Sequence, residues 1–390
     1  MARVRRPRYL AFFCDDFPFL DVEQLLRGEV EPISLRQLYA FSILTGETVE
    51  LTADQLELVL ATSSGEWVDT SNEDAARELG RKGVLLVDEE EFSALRERDE
   101  ALAALSWNLE SALFYFVTKW RGIDLREIGQ EEASDLPPPT AEAVQQFVDE
   151  FGPPPAAFHS VAEPEAVVEL PHVERSGELY DVLLRRRTTR SFDASKPLAL
   201  EELAAVMRYV FGYHGYARLL GEITTLKRTS PSAGGFHPVE AYLLLKGIEG
   251  LEPGLYHYAG RDHLLERIEA VAESEARELA GRFVCGQSYF ADAHALVILA
   301  ARFERAFWKY RNHQKALAAL LMDAAHLSQT LYLVCTELGL GTFVTAAINN
   351  VDIEERLGLD GAAEGVLAVC GFGKQAGERS PFDPLFEPLP

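Results

Sequence analysis

The sequence predicts an α+β protein: a sheet-and-helix sandwich preceded by a winged-helix-like domain. Three observations predict it. Apolar strands and amphipathic helices are interleaved after residue 176, with one apparent hairpin. Short capped helices followed by a strand occupy the first ninety residues. Between these parts, eight of the nineteen prolines fall between Pro137 and Pro171. The triplets Pro137-Pro138-Pro139 and Pro153-Pro154-Pro155 favour polyproline II and stop helices. The expected division is therefore 1–130, a linker over 131–175, and 176–390.

In the first part, Ser34 can cap a helix running to Leu44, and Thr52 caps a second that begins Ala-Asp-Gln-Leu. Thr70 or Ser71 opens a third, through Glu78, and Gly83 turns the chain into a strand over Val84–Val87. A short helix is expected over Ala141–Phe151. Beyond the linker, Glu178–Arg187 reads as a helix capped by Ser176, and Leu200–Phe211 as an amphipathic helix. Strands are expected at Val239–Leu245, Gly254–Tyr258, His294–Ala301 and Gly365–Gly371, and a long helix over Gln314–Leu338.

Composition bounds the function. The chain has 390 residues, 47% hydrophobic and 25% charged, which suits a large buried core. It carries 62 acidic against 37 basic side chains, a net charge of −25. Nucleic acid binding needs a basic footprint, and the predicted third helix, Asn-Glu-Asp-Ala-Ala-Arg-Glu-Leu, would turn acids toward phosphates. No nucleic acid partner is expected. No run of about twenty apolar residues lacks a charge, so no membrane span is expected. Tyr9–Cys14 is too short for a secretory core. Cys14, Cys285, Cys335 and Cys370 are far apart, which excludes CxxC motifs; each reads as buried and inert, in a reducing cytoplasm. There is no HExxH and no His pair at i, i+4, so no metal site is expected. No GxSxG elbow is present either.

Four stretches carry candidate chemistry. Arg185-Arg186-Arg187-Thr188-Thr189-Arg190-Ser191 packs four arginines and three hydroxyls into seven residues. Cations facing a helix C-terminus explain one or two of these, not four. Guanidiniums pair with phosphate through charge-assisted, often bidentate bonds. Pro231-Ser232-Ala233-Gly234-Gly235, ahead of His237-Pro238, offers a small-residue loop that a flat ligand can approach closely; alone it reads equally as a surface turn. Lys309-Tyr310 can share a proton if one of them is desolvated. Gly339-Leu340-Gly341-Thr342 closes the long helix with a glycine cap, and Gly371-Phe372-Gly373-Lys374 follows the last strand without being a P-loop or a dinucleotide fingerprint.

Taken in this order, these residues resemble the nitroreductase superfamily, and within it the streptolysin-type (SagB-like) azoline dehydrogenases that mature ribosomal peptides. The resemblance covers about Ser176 to Gln375. It implies a nitroreductase-like sandwich with FMN at a two-fold interface, hence a homodimer. By the resemblance, Arg186, Arg187, Thr188 and Arg190 hold the FMN phosphate, and Pro231, Ser232, Ala233, Gly234 and Gly235 lie along the flavin ring. Gly341, Gly373 and Lys374 supply the C-terminal FMN contacts, and Lys309 and Tyr310 form the catalytic pair. Asp323-Ala324-Ala325-His326 is similar to the family's Asp-x-Gly-His, and Thr330 stands where asparagine is common. The implied reaction oxidises thiazoline or oxazoline rings to azoles in a precursor peptide, and the resemblance implies a cyclodehydratase complex as partner. The rival expectations are an FMN-dependent reductase of dehydroamino acids, a generic quinone or nitro-compound reductase, and a flavin-free scaffold that delivers peptide.

Overall fold

Apolar alternation sets the strands, and pairing across the chain decides which survive. In the computed structural model, residues 1–19, 33–128, 141–158, 161–163, 165–219, 223–380 and 383–386 are described. The stretch 131–140 of the expected linker, with residues 159, 160 and 164, lies outside them. The helix over Ala141–Phe151 is present as expected. The chain divides into two units. One comprises Met1–Lys119, Arg302–Leu320 and Leu359–Gly365; the other comprises Trp120–Ala301, Leu321–Gly358 and Val366–Pro390.

The first unit is richer in sheet than its sequence pattern. Strand β1 (Ala2–Arg5) is the centre of a three-stranded sheet, between β5 (Val68–Thr70) and β6 (Leu86–Val87). A second sheet has the order β2 (Leu10–Phe19), β3 (Ile33–Ser42), β4 (Glu47–Leu51). The expected helix from Ser34 to Leu44 is therefore a strand. Its middle residues, Leu38 to Ser42, pair with β2 on one side and β4 on the other, and Tyr39 and Phe41 suit a strand better than a helix. The next helix, Ala53–Leu60, has the predicted Thr52 cap, completed by Gln55 as a capping box. The third starts later, at Glu73, with Asn72 rather than Thr70 or Ser71 as cap. Leu10, Ala40, Val49, Leu51, Val59 and Leu79 form part of this unit's core.

This unit also takes in Arg302–Leu320, which the sequence placed beyond the linker. Aromatic packing is the cause. The Trp107 ring lies 4.6 Å from Phe303 and 4.7 Å from Phe307, and its indole N–H donates to the Ala362 carbonyl at 3.1 Å. The helix Phe303–Tyr310 is thereby held by residues close to its own unit's Tyr115 and Phe116.

The second unit is built on six strands. Chain order gives β7 (Gly215–Leu219) and β8 (Ile223–Lys227), which pair only with each other, then β9 (Val239–Leu245), β10 (Gly254–Ala259), β11 (Leu264–Ala270), β12 (Ala295–Arg302), β13 (Gly341–Thr345) and β14 (Glu364–Gly373). The sheet order is β11-β10-β9-β12-β14-β13. β9 and β12 run antiparallel, Ala295 opposite Leu245 through Ala301 opposite Val239. Both are apolar because both faces are covered. The helix Leu200–Val210 supplies Leu203, Val206, Met207 and Val210 to the core, and Leu327, Leu331 and Cys335 come from the long helix Ala316–Glu337. By length and composition that helix could cross a membrane. Its buried Asp323 and its core leucines identify it instead as the core helix of this sandwich.

Three cysteines, Cys285, Cys335 and Cys370, are buried as expected, but Cys14 is exposed on β2. Burial raises the thiol pKa of Cys285 and Cys370 to about 12 and that of Cys335 further.

Candidate functional site

The helix Glu178–Arg185 stops where Arg186 takes an extended conformation, at φ −53° and ψ 127°. Gly177, with no side-chain cap, stands at its N-terminus instead of Ser176. After Arg186 the backbone is stitched into the edge of the six-stranded sheet. The Thr189 amide donates to the Thr342 carbonyl at 2.8 Å, the Ala376 amide to Ser191 at 3.0 Å, and the Asp193 amide to Lys374 at 3.0 Å. The structure thus brings together three stretches that the sequence singled out separately: Arg186–Phe192, Gly341–Thr342 and Gly373–Lys374. Gly341 and Gly373 are partners across β13 and β14. A Cβ at Gly341 would lie 2.7 Å from the Thr189 methyl, and one at Gly373 would collide with the His294 ring. Both glycines allow close approach of backbone to neighbour.

The arginines line a cavity of about 510 Å³ with Thr188, Arg379, Asp383 and residues Pro384 to Phe386. Arg186 lies 5.4 Å over the Tyr332 ring, and Arg187 donates to the Gln375 side-chain carbonyl at 3.0 Å. Among the described residues, neither pairs with a carboxylate. Thr188 Oγ1 and the Tyr332 hydroxyl are 2.9 Å apart, and burial raises the Tyr332 pKa. Two other expected cations are engaged. Arg190 pairs with Asp383 at 3.2 Å, and Lys374 Nζ donates to Glu202 at 2.6 Å. Lys374 is therefore half of an internal ion pair. Tyr332, Glu202 and Asp383 escaped sequence reasoning, because each lies far along the chain from its partner, and Arg379 because it stands apart from the arginine cluster.

The loop Pro231–Gly235 is held by the long helix. Asp323, 4% exposed, accepts from Ser232 Oγ at 2.5 Å and from the Ala233 amide at 3.0 Å. Ser232 Oγ in turn accepts from the His237 amide at 2.9 Å, and Ser230 Oγ meets Thr330 Oγ1 at 2.6 Å. Gly234 and Gly235 take φ of +67° and +69°, where a side chain would be strained. Burial raises the Asp323 pKa, against the lowering effect of its two donors. The acid was visible in the sequence, but its role as the tether of this loop was not.

The loop and the arginine element do not share the 510 Å³ cavity: none of Pro231 to Gly235 lines it. Helical spacing gives the reason. Asp323 and Thr330 are seven residues apart and share a face, whereas Tyr332 is nine residues from Asp323, about 180° around the helix. The loop and the arginines are anchored to opposite sides of one helix.

Lys309 and Tyr310 end the helix Phe303–Tyr310 in the first unit. Lys309 is exposed rather than desolvated, and its Nζ lies 5.2 Å over the Tyr310 ring. Arg311 closes the helix with φ +50°. Among the described residues, no group of three His, Cys, Asp or Glu side chains is placed to hold a metal.

The Nitroreductase family matches residues 183–374. A protein of Methanocaldococcus jannaschii named nitroreductase MJ1384 is 33% identical over 190 residues, 49% of this chain and 88% of that protein. The chain belongs to the nitroreductase family. The trifolitoxin-processing protein TfxB of Rhizobium leguminosarum is 27% identical over 177 residues, 44% of this chain and 46% of that protein. Among solved structures, a nitroreductase of Ralstonia eutropha is 25% identical, covers 54% of this chain and 89% of its own, and has a TM-score of 0.40. A chain of the E. coli microcin synthetase McbBCD complex with truncated pro-MccB17 is 18% identical, covers 71% of this chain and 94% of its own, and has a TM-score of 0.48. The nitroreductase match begins at Leu183, inside the helix that delivers Arg186, and ends at Lys374. It spans every residue of the arginine element, the loop and the glycine pair.

Proposed function

We propose that this nitroreductase is an FMN-dependent dehydrogenase that oxidises thiazoline or oxazoline rings to azoles in a ribosomally made peptide. The observation that carries the flavin is Arg186 with Arg187: adjacent guanidiniums at a cavity, neither paired with a carboxylate among the described residues, in a chain of net charge −25. Charge-assisted bonds to a phosphate would be worth about 1.5–3 kcal/mol each. Peptide as substrate draws on the likeness to the trifolitoxin-processing protein.

The residues fit the cofactor in part. Arg186, Arg187 and Thr188 would hold the phosphate, and Gly341 keeps backbone close beside them. Arg190 and Lys374 would join only by exchanging Asp383 and Glu202 for the phosphate. Bound FMN supplies a two-electron acceptor. The chain's own contribution is to orient and deprotonate. An azoline ring has an acidified Cα–H, and Lys309, or Tyr310 with its help, is the proposed base. Positioned base catalysis contributes about 10²–10⁴ in rate.

A homodimer belongs to this reading. The loop and the arginines sit on opposite sides of one helix, so two copies would complete each other's sites. Leu179, Leu183 and Leu184 on the helix Glu178–Arg185, and Leu321 and Met322 on the long helix, are exposed apolar side chains for such a contact. A cytoplasmic location and a cyclodehydratase partner are part of the same proposal.

The test is mass spectrometry of a ring-bearing peptide incubated with the purified protein. Loss of two mass units supports the dehydrogenase; gain of two supports a dehydroamino-acid reductase. A flavin absorbance band should be present in the parent and absent after Arg186→Ala with Arg187→Ala. A yellow double variant overturns the phosphate assignment, and a colourless parent favours a flavin-free scaffold. The name of the Methanocaldococcus jannaschii relative favours a nitro-compound reductase; NADH-dependent reduction of a nitroaromatic without change in the peptide would decide for it.

A further inference from the structure

We propose that the outward side of the helix Phe303–Tyr310, with the turn that follows it, docks an acidic segment of peptide. The inference deepens the proposed function by naming the substrate's character. Between Arg302 and Lys315 the chain carries five basic residues, Arg302, Arg305, Lys309, Arg311 and Lys315, against one acid, Glu304. The helix buries Phe303, Ala306 and Phe307. By 3.6-residue spacing the opposite stripe is Arg305 and Trp308, flanked by Lys309 on one side and by Glu304, which pairs with Arg302, on the other. Trp308 is 53% exposed, and Arg311, His313 and Lys315 are exposed beyond it. Among the described residues, neither Arg311 nor Lys315 pairs with a carboxylate.

The turn is built rather than frayed. The His313 amide donates to Tyr310 at 3.0 Å and the Ala316 amide to His313 at 2.9 Å. Asn108 Nδ2 donates to the His313 carbonyl at 3.2 Å, and Gln314 to Glu110 at 3.0 Å. A fixed turn presents its cations without the ordering cost of a loose loop.

The sign of the whole chain does not forbid this. Exposed charges are screened over about 8 Å at physiological ionic strength, so a docked carboxylate responds to the cations beside it more than to distant acids. The exposed indole adds apolar contact for a side chain flanking the acids. The occupant that matches is a peptide stretch of Asp or Glu next to an apolar residue. Docked there, it would be held by the same helix that carries Lys309 and Tyr310.

The experiment is fluorescence anisotropy with the full-length protein. The probe is a labelled peptide with an Asp/Glu tract beside Leu and Phe; controls are its Asn/Gln counterpart and a single-stranded DNA oligomer. The acidic peptide should bind, the neutral one at least several-fold more weakly. Arg311→Glu with Lys315→Glu should weaken the acidic peptide about tenfold or more. Arg311→Gln alone should have a smaller effect, with the thermal transition unchanged in both variants. Equal binding of the two peptides overturns the proposal. So does unchanged affinity in the double variant, or tighter binding of the DNA through the same two residues. Peptide binding is read without turnover, so a missing flavin band or an unaltered peptide mass sinks the dehydrogenase reading and leaves this measurement standing.

Discussion

Asp323→Ala tests how the loop Pro231–Gly235 is held. The carboxylate is 4% exposed and accepts from Ser232 Oγ and the Ala233 amide. Removing it strands both donors in a partly buried place. Each stranded donor costs about 1–3 kcal/mol, and relief from burying the acid offsets some of this, leaving about 2–4 kcal/mol. In a unit of this size each kcal/mol moves the melting temperature by about 2–4 °C, so a fall of roughly 5–15 °C is expected by circular dichroism. Asp323→Asn keeps the volume and one acceptor, and should fall less. It also carries a pH signature. Burial raises the Asp323 pKa, so the folded state holds the proton more tightly than the unfolded chain. That contribution is complete below the ordinary carboxylate range and is lost as pH rises through the folded value. Asp323→Asn should therefore gain on the parent as pH rises from about 4 to about 7. A melting temperature for Asp323→Ala within about 2 °C of the parent would refute the tether, since a stranded donor alone should move it further. A parent-to-Asn difference flat in pH would refute the buried charge.

Three further outcomes are expected. Gly371→Ala should destabilise by about 1–3 kcal/mol in a denaturant titration, because the new Cβ would overlap the Phe343 ring, itself stacked on Phe290 at 3.7 Å. A thiol reagent should modify Cys14 alone in the native protein and all four cysteines after unfolding; rapid native reaction at Cys285 would contradict its burial. Burial lowers the pKa of Lys246 from 10.5 to about 8. Between those values the unfolded chain binds the extra proton, so stability rises with pH. Lys246→Met should thus be more stable than the parent near pH 7, with a gap that narrows as pH climbs above 8; a gap that widens would reverse the sign of the argument.

Local pattern made some elements legible. Strand β9 has its expected bounds, Val239–Leu245, because its apolar run is closed by Pro238 and Lys246-Gly247. The Thr52 helix was legible from its cap. Elements decided by distant pairing were not. Ser34–Leu44 carries enough leucine to pass for a helix, and only β2 and β4 make it a strand. Gly339–Thr342 read only as the glycine cap that closes the long helix; pairing with β14 makes Gly341–Thr345 an edge strand. In the site, the arginine cluster stood out against the acidic background, whereas the partners of Arg190 and Lys374 lie 193 and 172 residues away and left no mark nearby. The Lys309-Tyr310 pair was legible as residues, but the aromatic packing that places it with Trp107 was not.

The acidic excess gives unpaired cations their meaning. With 62 carboxylates for 37 lysines and arginines, an internal partner is the common outcome: Arg77 and Arg356 each have two. Arg186 and Arg311 each cap the C-terminal end of a helix without one among the described residues, and the helix dipole repays only about 0.3–1 kcal/mol for such a cation. An anion arriving at either of these two arginines displaces no carboxylate of the described residues, although Asp383 holds Arg190 in the same cavity as Arg186. The two places differ in burial: Arg186 is partly enclosed beside the Tyr332 ring, whereas Arg311 and Lys315 are exposed. Screening acts mainly on exposed charge. Raising salt from about 50 mM to about 500 mM should therefore release an acidic peptide while most bound FMN stays, the two read in one titration by anisotropy and by flavin absorbance. Loss of both in parallel would mean that the guanidiniums at the cavity are no better shielded from solvent than those of the turn, and the phosphate site would have to be sought elsewhere in the second unit.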